Sequence, residues 1–404
     1  MLHIYHNAHI VDGAGDSFQG YMLVEGDKIV RIGKGALPSE FSNGQIHDVQ
    51  GQTILPGFID CHVHLYSDGD PNPVASRAQD STPLAALRAA RNAMKTIQGG
   101  VTTVRDCGSR DGVDFALRRA AVEGICEAPR MLLCGCMICM TGGHGVGSGV
   151  EADGVDGVRK AARLMLKQGA DHIKLVASGG ILSAGTEIGV AQFTVEEMRA
   201  GVEEAHRAGK TACAHAHGTQ AIKNAIMAGV NSIEHGYLID DEGIEMMVER
   251  GTFLVATSIA VRNVVEHGEE AGIPAHSVRK ASSAIDQHVH GFKKALTAGV
   301  KMAMGTDSGV PFTRHGRNLE ELSCLVEMGM TPMQAIMTST LHAAELIQMS
   351  DYIGSLEAGK YADFVIVEEN PLKDITSLAR QNNIQQVFIA GKPVYQKGVS
   401  ALVN

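Results

Sequence analysis

The chain has 404 residues, 44% hydrophobic and 20% charged, a composition typical of an ordinary soluble globular protein with room for two or three domains or one large α/β barrel. Its 35 Lys and Arg stand against 45 Asp and Glu, a net charge of −10, and no basic run could neutralise a phosphate backbone, which argues against nucleic acid as a partner. The first ten residues lack a basic segment followed by an apolar stretch, and no later run approaches the roughly 18 apolar residues of a membrane span, so the expectation is a cytoplasmic protein with no membrane partner.

Residues 1–56 read as short alternating strands, Ile4 to Ile10, Tyr21 to Glu25, Lys28 to Ile32 and Ile46 to Asp48, separated by turn signals such as Asp12-Gly13 and Glu25-Gly26-Asp27. From residue 57 the rhythm changes to a β-rich apolar run, a glycine or polar loop, and then a longer helical pattern. The strand candidates are 57–65, 102–108, 130–138, 172–178, 211–217, 232–237, 252–258 and 301–307. Between them lie helical stretches at Leu84 to Ile97, Val155 to Gln168, Thr194 to Ala208 and Val278 to Ala298. Thr194 and Glu197 are spaced as a capping box, and Gly169, Gly209, Gly229, Gly251 and Gly299 fall where helices end on a left-handed residue.

Strands alternating with crossover helices specify a parallel sheet closed into a (β/α)8 barrel. The tail returns to the opening style in Asp363 to Val367 and Gln386 to Val394. Neither end has enough strands to bury a core alone. The expected organisation is therefore a composite β-sandwich of residues 1–56 plus 354–404 and an α/β barrel over 57–353.

The eight cysteines, few for the length and mostly in apolar segments, read as reduced thiols. Cys134, Cys136 and Cys139 are close enough for a soft-metal site, but Met131 to Ile138 reads as a buried strand carrying small apolar cysteines, and no second cluster completes a thiolate set.

The chemistry gathers elsewhere. His62 and His64 are two apart on a strand, so both imidazoles share one face. Alone, such a pair reads more readily as surface histidines on an edge strand. It is joined by Lys174, His215, His235 and Asp307, each at the end of its own apolar segment, where barrels of this kind carry their catalytic side chains. Three histidines and a carboxylate can hold a divalent ion, whereas a lysine with its ordinary pKa near ~10.4 repels one and must be modified to belong. His215 and His217 share a face, and chemistry alone does not choose between them.

The motifs Phe58-Ile-Asp-Cys-His-Val-His64, His172-Ile-Lys-Leu-Val-Ala-Ser-Gly-Gly180, His215-Ala-His-Gly218, Glu234-His-Gly236 and Gly305-Thr-Asp-Ser308 resemble the amidohydrolase superfamily, in its branch of binuclear-metal prolidases and related carboxypeptidases. The stretch Gly354 to Val365 resembles that superfamily's return into its β-sandwich, so the likeness covers essentially the whole chain.

The resemblance implies two divalent metal ions, Zn2+ or alternatively Mn2+, bridged by a carbamate that CO2 forms on the Lys174 amine. His62, His64 and Asp307 would hold the first metal, and His215 and His235 the second, with His217 left to a supporting or substrate-binding place. Two ions bring about +4, and carbamate, Asp307 and a bridging hydroxide about −3, a tolerable remainder for a buried site. The hydroxide would attack an amide carbonyl while Asp307 moves the proton to the leaving nitrogen.

His144 in the glycine loop 142–149, Tyr237 two residues after His235, and Arg314 after the eighth strand are the candidate substrate-binding groups. The substrate implied is a dipeptide or N-acyl amino acid, with proline as the released residue. Alternatives within the likeness are an ochratoxin-type N-acyl aromatic amino acid amidohydrolase, a carboxypeptidase for Arg or Lys, and an imidazolonepropionase-like cyclic amidohydrolase. Relatives of this kind imply a homo-oligomer. A non-catalytic metal scaffold would be expected to lack Asp307.

Overall fold

The computed structural model describes residues 1–41 and 43–399. By internal contacts the chain divides into two units, one of Met1–Asp60, Met94–Thr103 and the chain from Gly316 onward, the other of Cys61–Ala93 and Val104–His315.

In the first unit the two chain ends share one continuous mixed sheet, the β-sandwich element of the fold. Its strand order is Lys392–Gln396, Ile384–Ile389, Phe364–Val367, Thr53–Pro56, Leu2–Val11, Ser17–Glu25 and Lys28–Lys34, with Gln45–Asp48 also pairing with Leu2–Val11. The two ends meet where Phe364 to Val367 run antiparallel to Pro56 to Thr53. Alternation along the strands supplies two apolar faces: Tyr5, Met22 and Val24 pack with Phe364 and Phe388, while Ile4, Tyr21 and Leu23 pack with Leu37 and Phe41. The tail predicted as one strand is a hairpin, because Ala390 and Gly391 both take positive φ, 49° and 73°, as a tight two-residue turn requires.

The remaining strands form the α/β barrel. Six of its eight staves are regular strands near their expected places: Phe58–Val63, Val101–Asp106, His172–Val176, Thr211–Ala216, Ser232–His235 and Phe253–Val255. The third is broken, running Arg130–Leu133 and resuming as Ile138–Cys139, where Ile138 pairs with Leu175. The eighth, expected over 301–307, is not a regular strand. It closes the ring through single bonds: Leu254 N to Lys301 O at 2.8 Å on one side, Cys61 N to Met304 O at 2.9 Å and Asp307 N to His62 O at 2.8 Å on the other. Gly305 permits this close approach, since a Cβ there would lie 2.4 Å from Val255 Cγ1 and 2.8 Å from His62 Cβ.

The helices follow their signals. Thr194 caps Val195–Arg207, accepting from Glu197 N at 3.2 Å while Glu197 accepts from Thr194 N at 2.8 Å. Gly169, Gly229, Gly251 and Gly299 end their helices in the left-handed conformation. No described helix is long and apolar enough to cross a membrane.

Candidate active site

The parallel register decides which side chains reach the barrel mouth. Lys174 pairs with Cys213, Val176 with His215, and His215 with Glu234. Paired residues on parallel strands share a face, so Lys174, His215 and Glu234 all turn inward. By that alternation His235 should point away from them. Its backbone instead adopts φ 73°, which brings its ring back to 5.0 Å from His62 and 4.6 Å from His215. Asp307 likewise sits at φ 60°. Left-handed backbone at two non-glycine residues costs of order 1–3 kcal/mol each, and both are held at the site.

The result is a cavity of about 290 Å³ into which His62, His64, Lys174, His215, His235 and Asp307 converge, with His144, His217 and Tyr237 also lining it. Asp307 Oδ1 lies 3.1 Å from His64 Nε2 and 3.5 Å from His62 Nε2, and Lys174 Nζ is 3.5 Å from the same His62 nitrogen. Ligand-capable atoms of His62, His235 and Asp307 lie within 4.8 Å of one another, as do those of His215, His217 and His235. His235 belongs to both groups, and His217 is placed as closely as His215. Cys134, Cys136 and Cys139 join no such group among the described residues, and all eight cysteines are free.

Outer hydrogen bonds set the tautomers. His62 Nδ1 meets Glu234 Oε2 at 2.7 Å, and His64 Nδ1 meets the Gly108 carbonyl at 2.8 Å. His235 Nδ1 meets Thr257 Oγ1 at 2.7 Å, and that hydroxyl donates onward to Ala256 O at 2.8 Å. Each acceptor fixes the proton on Nδ1, so in the neutral rings three Nε2 lone pairs face inward. Burial, with the charge of Lys174 as the next contributor, holds His62 well below the usual histidine range; burial and neighbouring imidazoles do the same for His215, His217 and His235. Lone pairs pointing at a carboxylate repel one another unless a cation lies among them. The donor set therefore fits divalent metal.

Below this layer Glu234 is locked in place. Arg105 Nη2 donates to Glu234 Oε1 at 2.8 Å, Ser232 Oγ donates to the same oxygen at 2.5 Å, and Arg105 also reaches Cys61 O at 2.6 Å and Ser232 Oγ at 3.1 Å. Neither Glu234 nor Arg105 was singled out from sequence, although the strand register was a usable signal for Glu234.

On the substrate side, His144 Nδ1 pairs with Ser183 Oγ at 2.7 Å, and its ring lies 4.6 Å from that of His215. A Cβ on Gly180 would lie 2.3 Å from the His144 ring, so any larger residue there would have to displace that ring. Burial lowers the pKa of His144 to about 4. Tyr237 stacks on His217 at 4.5 Å and reaches Thr257 through its hydroxyl. Arg314 is not brought to the cavity. Phe312 turns the chain at φ 59°, and Arg314 is exposed with its guanidinium 6.0 Å from the Phe312 ring. The arginines that do line the cavity are Arg77 and Arg110. Arg77 lies in the short helix Pro73–Gln79 after the first barrel strand, where nothing in the local pattern marks it.

The amidohydrolase family model matches residues 53–394. Ochratoxinase of Aspergillus niger is 32% identical over 413 aligned residues, covering 95% of this chain and 84% of that protein. Among solved structures, a Xaa-Pro dipeptidase with methionine bound in its active site is 34% identical with a TM-score of 0.88, covering 98% of this chain and 100% of that one. A prolidase complexed with N-methylphosphonate-L-proline is 31% identical with a TM-score of 0.90 over the same shares. With a family match over most of the chain and histidines and a carboxylate converging at the mouth of the barrel, the chain belongs to the amidohydrolase family, as a metal-dependent enzyme acting on C–N bonds.

Proposed function

We propose that this protein hydrolyses the amide bond of dipeptides or N-acyl amino acids, with proline as the preferred released residue. The observation that carries the reading is the convergence of His62, His64 and His235, their Nδ1 protons fixed by outer acceptors, on the Asp307 carboxylate beside Lys174. The site is assigned two divalent ions, Zn2+ or Mn2+. His62, His64 and Asp307 would hold one and His215 and His235 the other, with a carbamate on Lys174 shared between them. Bound there, the ions would polarise a carbonyl and lower the pKa of water toward about 7.

The protein's own groups do the rest. Asp307 takes a proton from the attacking water and returns it to the leaving nitrogen. His144 and Tyr237 orient the substrate, and His217 stacks between Tyr237 and His235 to support both. The catalytic work is assigned to residues 57–353 and the composite sandwich to 1–56 with 354–404. A cytoplasmic setting fits eight free cysteines.

A second reading, hydrolysis of N-acyl aromatic amino acids, is favoured by the 32% identity to ochratoxinase. A basic released residue is disfavoured, because among the described residues Asp307 is the only carboxylate lining the cavity. The deciding experiment strips metal with a chelator, restores Zn2+ or Mn2+ with bicarbonate, and follows a library of dipeptides and N-acyl amino acids. Recovery on Xaa-Pro substrates supports the first reading and recovery on N-acyl phenylalanine the second. Absence of any amidase activity refutes both.

A further inference from the structure

We propose that Arg77 captures the free carboxylate of the substrate's released amino acid, so that this enzyme acts on C-terminally unblocked substrates whose released residue is uncharged and aliphatic. The inference rests on the hydrolase reading and adds to it the group that fixes the substrate's far end.

Of the two arginines at the cavity, Arg110 is already committed. Its Nη1 donates to the Arg77 carbonyl at 2.9 Å, its Nη2 donates to the Asp80 carbonyl, and its Nε lies 3.6 Å from Asp111. Arg77 is held but not neutralised. Its Nε donates to Pro73 O at 2.9 Å and its Nη1 to the Tyr66 hydroxyl at 2.9 Å, with the guanidinium 5.4 Å from the Tyr66 ring. No carboxylate of the described residues pairs with it, and Nη2 keeps both its hydrogens for a ligand.

Tyr66 follows His64 by two residues, and their rings are 6.5 Å apart. The same short segment therefore supplies an imidazole facing Asp307 and the hydroxyl that aims Arg77. A guanidinium fixed through two of its nitrogens loses little freedom on binding a carboxylate.

Much of the remaining lining is aliphatic, with Ile181, Leu182, Val261, Val264 and Val310 among it. A lysine or arginine side chain pressed there would lose its hydration with no anion to meet it. A proline ring or a branched aliphatic side chain loses only water.

The test uses the full chain reconstituted with Zn2+ and bicarbonate, as wild type, Arg77→Gln and Arg77→Lys. Hydrolysis is compared for leucyl-proline and its C-terminal amide, leucyl-prolinamide. Truncating one partner of a charge pair predicts that Arg77→Gln loses about 100-fold in kcat/KM on the acid, mostly through KM, with the amide unchanged and Arg77→Lys between. Equal hydrolysis of acid and amide by wild type, or equal slowing of both by Arg77→Gln, overturns the proposal.

Calorimetric titration with the released product proline and with prolinamide, neither of which carries an N-acyl bond to cleave, gives a readout independent of catalysis. Tighter binding of the acid that disappears in Arg77→Gln supports the carboxylate site, and equal binding of the two overturns it. If wild type cleaves nothing while that preference persists, the hydrolase reading fails and the Arg77 site stands.

Discussion

His62 and Glu234 are 172 residues apart in sequence, yet His62 Nδ1 and Glu234 Oε2 meet at 2.7 Å in the fully buried interior of the barrel. The carboxylate holds the proton on Nδ1 and so turns Nε2 toward Asp307 and Lys174. Arg105, equally buried, holds the other oxygen of that carboxylate at 2.8 Å. Partners that orient a metal-binding histidine in this way contribute 10- to 100-fold, in order of magnitude, to metal affinity. Glu234→Gln retains an acceptor for Nδ1 but gives up the charge. It is expected to weaken Zn2+ binding about tenfold in competition with a chromogenic chelator. Unaltered affinity would show that the contact is only packing.

Removing Arg105 should act on stability more than on metal. Arg105→Met leaves Glu234 buried with its Ser232 and His62 contacts but without a cation. Breaking a buried pair from one side costs about 3–5 kcal/mol. Denaturant unfolding is expected to show that loss for Arg105→Met and a smaller one for the double variant Arg105→Met with Glu234→Leu, where no charge is stranded. A double variant less stable than the single one would contradict an electrostatic role.

Much of the fold was legible because its signals are local. Glycines at helix ends, the Thr194–Glu197 box and β-rich runs each report on a few neighbouring residues, and repetition of the unit implies the barrel. What escaped depends on contacts across the ring. The eighth stave has the composition of a strand, but Gly305 and the left-handed Asp307 let it approach Val255 and His62 without forming a ladder. The Ala390-Gly391 turn was hidden because alanine seldom takes positive φ. At the site, the motif residues were visible as residue types at strand ends. Arg314 was expected beside them and lies outside the cavity, since its nearness to Asp307 in sequence is undone by the turn at Phe312. Arg77 enters the cavity from a helix whose pattern says nothing about what it faces.

Gly305 offers a test of that closure. Alanine there must displace either Val255 or His62, and the His62 contacts are to Cβ at 2.8 Å and to backbone N at 3.2 Å, neither of which can swing away. Overpacking of this kind costs about 1–3 kcal/mol. Gly305→Ala is expected to lower the thermal midpoint and, by pushing His62 out of register with Asp307, to reduce the metal retained after desalting. A variant that loses stability but keeps its full metal content would separate barrel closure from the site.

Lys174 has an outcome particular to its proposed modification. Its amine is buried, which alone would depress its pKa, but the surrounding Cys107, Cys213, Glu234 and Asp307 hold it above the ordinary lysine value. Cations at His62 and His235 would reverse that field and favour an anionic carbamate. Lys174→Ala is therefore expected to lose activity by at least about 100-fold, consistent with loss of a group that positions the reacting centre. A short-chain carboxylic acid should restore part of it. Intact mass of the wild type in bicarbonate should include one added CO2. An alanine variant that binds two metals without added acid would refute the bridging role.

Protonation of buried histidines sets the acid limit of the fold, and His288 shows the sign. It lies behind Tyr237, ring to ring at 4.6 Å, and its Nε2 meets Ser258 Oγ at 2.9 Å. Burial lowers its pKa to about 4, against 6.5 for an ordinary histidine. Above pH 6.5 the ring is neutral in both folded and unfolded chains and contributes no pH dependence. As pH falls from 6.5 toward 4 the unfolded chain takes up the proton and the folded one does not, so stability is lost through that window. At about 1.4 kcal/mol per pH unit the loss amounts to at most about 3.5 kcal/mol for this residue. His288→Gln keeps a polar partner for Ser258 and removes the titration. Its unfolding free energy should fall less steeply than wild type between pH 6.5 and 4, whatever its value at pH 8, and parallel curves for the two proteins would mean that His288 is protonated in the folded state.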